Sequence, residues 1–178
     1  MRLTAIPFEA MNKRLRPLFI AQVQRSPTRI WAFFALVLLI GGPLGEEFGW
    51  CGYALPSLQA GHDWRVASLG LGLVWGVRHL PLFFIAGTSQ AHVPLGLFLL
   101  SVVAMSVSFA WLVNRCAGSV VVALLLHTAI NFWPSIIPVL PTSEGHRPCA
   151  FLVAMLVVLA LGLLTQPNVA DSKSGTLS

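Results

Sequence analysis

Apolar residues in this chain gather into long runs separated by short polar or Gly/Pro-rich breaks. The first run, 30–45, ends on Gly41-Gly42-Pro43, a trio that breaks or kinks a helix. A second helical stretch is predicted over 44–58 and carries Glu46 and Glu47. Residues 61–65 form a polar turn. The run 66–86 is 21 residues long and is interrupted only by Arg78 and His79; the run 93–113, also 21 residues, has no charge. After a short turn at 114–116, the run 117–140 contains His127 and Asn131 and has Pro134 and Pro138 in its last part. A polar loop over 141–148 precedes a run at 149–164, whose 16 residues are short for a membrane span. A bilayer core takes roughly 20 residues, so this segment needs tilt or local thinning. The tail, 165–178, is polar and reads as disordered.

These elements predict an all-α fold, a polytopic transmembrane helical bundle. Three segments follow from the pattern: a basic arm at 1–29, a membrane-embedded domain at 30–165 and a polar tail at 166–178. Composition strengthens the case. Of 178 residues, 56% are hydrophobic and 10% charged, against about 25% charged in a soluble domain. So few charges cannot cover a water-exposed surface, so the lipid bilayer must solvate much of the exterior.

The net charge of +5 is concentrated at one end. Arg2, Lys13, Arg14, Arg16, Arg25 and Arg29 all precede the first apolar run. A basic strip beside a membrane segment marks a cytoplasmic flank near anionic headgroups. Nucleic acid is rejected as its partner, because the arm abuts lipid-length apolar sequence. If all five runs cross once, Arg147 joins the arm on the cytoplasmic side, while Arg65, Arg115 and Lys173 lie opposite. The expectation is an integral protein of a bacterial plasma membrane with its N-terminus in the cytoplasm. Cys51, Cys116 and Cys149 are odd in number and widely spaced, with no CxxC, which gives neither a disulfide framework nor a thiolate zinc site.

Ionisable groups inside apolar runs are costly, and the default reading is functional. Here they fall in three places: Glu46-Glu47, Arg78-His79, and His127 with Asn131. His127 and Asn131 are four apart, on one helix face, where they can ligate a metal or donate to an oxyanion; helix–helix hydrogen bonding explains that pair equally well. His79 sits beside a helix opened by Pro81, which has no N–H for the carbonyl of Val77; alone it reads as a structural histidine. Glu46 and Glu47 diverge by about 100° around a helix, so at most one points squarely into a given pocket. Alone, the pair also fits an exposed helix start. Two histidines and a carboxylate on separate helices are together the inventory of a hydrolase that activates water. No GxSxG elbow and no HExxH occur.

The segment Pro43-Leu44-Gly45-Glu46-Glu47-Phe48-Gly49-Trp50-Cys51-Gly52-Tyr53 resembles the first motif of the CPBP family, the CAAX-protease and bacteriocin-processing proteins that include the type II CAAX prenyl proteases. Trp75-Gly76-Val77-Arg78-His79-Leu80-Pro81 is similar to the second motif, and His127-Thr128-Ala129-Ile130-Asn131 to the third. The resemblance covers 31–140, with the motifs in family order. It implies an intramembrane endopeptidase, metal- or glutamate-dependent, acting on a membrane-associated peptide or protein. By that carry-over Glu46 is the general base, Glu47 a supporting carboxylate, and His79, His127 and Asn131 complete the catalytic site. It also implies a ligand set of Glu46, His79 and His127 for Zn2+ or another divalent metal, while a metal-free mechanism uses the same groups as donors.

Three departures stand out. Cys51 occupies the position where the family motif carries arginine, Arg78 stands where the family has an apolar or aromatic residue, and only one short run precedes the first motif, which reads as a minimal version of the fold. Two readings of Arg78 stand side by side: it crosses between helices to Glu47, supplying the charge that Cys51 lacks, or it extends to the membrane interface and Cys51 marks a decayed enzyme. Two rivals to the protease remain: a catalytically inactive relative that binds membrane peptides as an immunity or scaffold protein, and a small transporter using the same His and Glu residues.

Overall fold

A computed structural model of the chain describes residues 26, 28–85, 88, 90, 93–133 and 147–167. Most of the basic arm, the polar tail from 168, and the Pro134 and Pro138 stretch lie outside the described residues. Within them the structure is helical, with no strand. The order is α1 (Thr28–Ile40), α2 (Pro43–Gln59), α3 (Trp64–Arg78), a 3-10 turn at Leu80–Phe84, α4 (Leu95–Arg115), α5 (Val120–Phe132) and α6 (Arg147–Leu164). The all-α membrane bundle expected from the sequence is what the chain forms.

Two helical stretches, Trp64–Phe84 and Leu95–Arg115, are each 21 residues and apolar enough to cross a membrane. The pair α1 and α2 makes a third if its 46° bend is taken within one span. Val120–Phe132 and Cys149–Leu164 are shorter apolar helices. The outward faces are those of a lipid-solvated protein, with Trp31, Ile40, Leu73 and Phe84 exposed.

The breaks have local causes. Gly42 adopts φ +104°, a conformation that residues with a Cβ rarely reach, and Pro43 then opens α2 with the φ that a helix start requires. Inside α2, Trp50–Ala54 widens to a π-turn in which the Leu55 amide donates to the Trp50 carbonyl. Pro56 follows at once, and its ring and missing N–H deprive the Gly52 carbonyl of an ordinary helical partner. The run 66–86 is not helical throughout. Its α-helix stops at Arg78, and Pro81 lies in the tighter 3-10 turn that follows.

α4 is central: it packs on α3, α5 and α6 and touches the π-turn of α2. On the α3 side, Ser68, Gly72 and Gly76 recur every fourth residue, and all three are buried. A Cβ at Gly72 would lie 2.8 Å from the Cα of Val103 and 2.9 Å from the Cβ of Ser106. Such small residues let two backbones approach in a membrane, where packing rather than hydrophobicity holds helices together. The contact is tied by Ser106 Oγ, which donates to the Ser68 carbonyl at 2.8 Å. α1, α2 and α5 pack on one another alongside this pair, so the glutamates and His127 come from neighbouring helices.

Candidate active site

The two glutamates of α2 separate as adjacent helical positions must. Glu47 turns inward and is fully buried; Glu46 stays partly exposed. From α5, His127 reaches Glu47, with Nδ1 and Oε1 2.7 Å apart. Both side chains are buried, so this hydrogen bond is made in low dielectric between helices 80 residues apart in sequence. The second carboxyl oxygen, Oε2, is buried with no hydrogen-bond partner among the described residues. The His127 ring is walled by Trp75, 5.5 Å away in an edge arrangement, and by Phe109 at 5.9 Å.

Trp75 also contacts His79. The ring centroids are 6.2 Å apart, and Phe98 lies 5.7 Å from His79 on another side. His79 closes the C-terminus of α3, where its Nδ1–H donates to the Trp75 carbonyl at 2.9 Å. A carbonyl can only accept, so in the neutral ring Nε2 is left with its lone pair. One indole thus holds both histidines, and Trp75 is the residue that sequence reasoning did not place in the site. Its signal was there: a bulky aromatic one helical turn before His79.

Asn131 lies one turn beyond His127 and is exposed; its Nδ2 donates to the Gly41 carbonyl at 3.4 Å, at the α1–α2 kink. The expected Arg78–Glu47 pair is not formed. Arg78 does cross between helices, but its Nη1 lies 3.6 Å from Glu46 Oε1, and its guanidinium sits over the Trp50 ring at 5.6 Å. The physical reason is the divergence of the two carboxylates: Glu47 turns into the bundle toward His127, leaving Glu46 on the side that faces the end of α3. Cys51 is a buried free thiol in the π-turn, one turn after Glu47.

Among the described residues, no three His, Cys, Asp or Glu side chains are grouped to hold a metal ion. Glu46 faces Arg78, His79 is tied to its own helix, and His127 is engaged by Glu47. Among the described residues Glu46, His79 and His127 are not grouped as a three-ligand set, while the Nε2 atoms of both histidines stay unengaged by the contacts that hold Nδ1.

With this geometry in view, the comparisons with known proteins are decisive about kinship. The sequence model of the type II CAAX prenyl endopeptidase Rce1-like family matches residues 28–133, a stretch containing all five expected site residues. The chain belongs to this family. CAAX prenyl protease 2 of Methanococcus maripaludis is 30% identical over 131 residues, which cover 70% of this chain and 48% of that relative. The chain therefore spans about half the length of the curated relative it matches. No solved structure matches. As a member of the Rce1-like family with membrane-length apolar helices, the chain is an integral membrane protein.

Proposed function

We propose that this protein is an intramembrane endopeptidase that hydrolyses a peptide bond in a membrane-associated peptide or protein substrate, with Glu46 as the general base. The buried Glu47–His127 hydrogen bond carries the reading most directly. A carboxyl group that fixes one ring nitrogen of a histidine orients the other toward its task, as in catalytic and metal-bound histidines.

The steps follow from the groups present. Glu46 takes a proton from water, and the oxygen attacks the scissile carbonyl. His79 Nε2, its lone pair free, accepts from that water and aims it. The tetrahedral oxyanion needs donors, which His127 Nε2 and the Asn131 amide supply. For Nε2 to carry a proton, the Glu47–His127 pair must hold one more than a carboxylate and a neutral imidazole do. The pair then carries no net charge. The proton held by Glu46 passes to the leaving amine as the C–N bond breaks. Glu47 acts through His127 and is a positioning residue. Protein groups and water account for every proton, and no metal is invoked.

The substrate class is a peptide or protein presented by the bilayer. The name of the archaeal relative suggests prenylated C-terminal peptides as the first to try. One observation favours a second reading. Cys51 puts no charge where the resemblance expects arginine, and this suits an inactive relative that retains a membrane peptide without cutting it. Purified protein in liposomes, given a library of farnesylated and unmodified peptides, separates the two. Fragments seen by mass spectrometry support the protease. Saturable binding of a peptide that is recovered intact supports the inactive relative.

A further inference from the structure

In Trp64–Phe84, a stretch long and apolar enough to cross a membrane, Arg78 is the one Arg or Lys that lies away from its start, and a charge inside such a stretch is costly unless used. It closes α3, where a basic residue also complements the helix dipole. A residue needed only for that purpose would be free to extend to the bilayer surface. Its side chain is half-exposed, yet its guanidinium carbon stays over the Trp50 ring, 5.6 Å from the centroid, with Nη1 3.6 Å from Glu46 Oε1. Trp50 begins the π-turn immediately after the glutamates, so the aromatic platform and the carboxylate belong to one continuous helical segment. The remaining charged or titratable groups on the helices around Glu46 are placed elsewhere. Glu47 and His127 are paired with each other, His79 is bound to Trp75, Cys51 is buried, and Arg29 is exposed in the first turn of α1.

We infer that Arg78 is a positioning residue for the reaction: seated on Trp50, it holds the Glu46 carboxylate in the orientation from which it activates water. The inference rests on the proteolytic reading for its consequence and on geometry alone for the contact. A flexible Glu side chain loses rotamer freedom when held, and that cost is met here before substrate arrives. The contact uses one guanidinium nitrogen as a point charge rather than a two-pronged fork, so lysine can reproduce it in part.

The test uses the full chain in nanodiscs with 13C-labelled glutamate side chains. The sequence has four glutamates, Glu9, Glu46, Glu47 and Glu144, and Glu46→Gln identifies the Glu46 resonance. At a fixed pH, Arg78→Gln is expected to move the Glu46 carboxyl resonance and leave that of Glu47 in place; Arg78→Lys is expected to bring it back toward the wild-type position. With a cleaved farnesylated peptide as probe, Arg78→Gln is expected to lower kcat by about tenfold with KM within about twofold, and Arg78→Lys to recover most of the loss. An unmoved Glu46 resonance overturns the contact, whether or not any peptide is cleaved. A moved resonance with unchanged kcat overturns the positioning role. A wild-type chain that cleaves no peptide yet shows the lysine-reversible shift refutes the proteolytic reading and leaves the Arg78–Glu46 contact standing.

Discussion

Glu47 and His127 are the residues whose partnership the sequence concealed. Each was recognisable alone, as an ionisable group inside an apolar run. Their pairing depends on how α2 and α5 are rotated about their own axes, and a spacing of 80 residues says nothing about that. The same rotation decides that Arg78 meets Glu46 and not Glu47. Removing either member of the buried pair leaves the other unsatisfied. Glu47→Ala should therefore lower stability by about 1–3 kcal/mol and should also impair turnover. His127→Ala should do the same, and the double variant should lose little more than either single one, because the two side chains share one interaction. Unfolding followed in mixed micelles measures all three. Additive losses would show that the hydrogen bond is not a significant part of the fold.

At the scale of helices the sequence was more informative, because breaks have chemical markers. Gly41-Gly42-Pro43 predicted the kink, and the structure bends there by 46°. Pro81 marked a locally opened helix in the run 66–86; that the α-helix stops at Arg78 and the next residues tighten to a 3-10 turn was not legible in an apolar run. The π-turn at Trp50–Ala54 was not foreseen, since Pro56 signals a disturbance upstream without fixing its form. The close approach of α3 and α4 carries a prediction of its own. Gly72→Ala sets a Cβ 2.8 Å from the Val103 backbone, which can yield only if the helices part. The substitution should cost about 1–3 kcal/mol. Gly76→Ala meets only the tip of the flexible Leu99 side chain, at 2.8 Å, and should cost distinctly less. Thermal unfolding of the two variants in the same detergent gives the comparison. Equal losses would contradict the packing account.

Across the whole molecule, the bundle is joined at one end by Arg65. From the start of α3 its Nε donates to the Leu164 carbonyl at 2.7 Å and its Nη2 to the Gln166 carbonyl at 2.6 Å, capping the end of α6. Loss of two charge-assisted bonds in Arg65→Ala should raise amide hydrogen exchange in the last turn of α6 by about tenfold or more, with little change in α2. Unchanged exchange there would show that α6 is held by its apolar face alone. This clamp lies at the start of α3, and His79 and Arg78 lie at its other end, so the site can be altered without loosening the C-terminal helix. Composition alone announced the membrane, and the ordered motifs announced the family. Which carboxylate faces which base was legible only once the helices were packed. The central claim is that Glu46 activates water for peptide hydrolysis. Its most direct test is the cleavage rate of a farnesylated peptide in proteoliposomes by wild type and by Glu46→Gln, which keeps the shape of the side chain and removes the base. The account predicts a fall of about 10²-fold or more, with membrane insertion and thermal unfolding unchanged; a purified Glu46→Gln variant that turns over at the wild-type rate would contradict it.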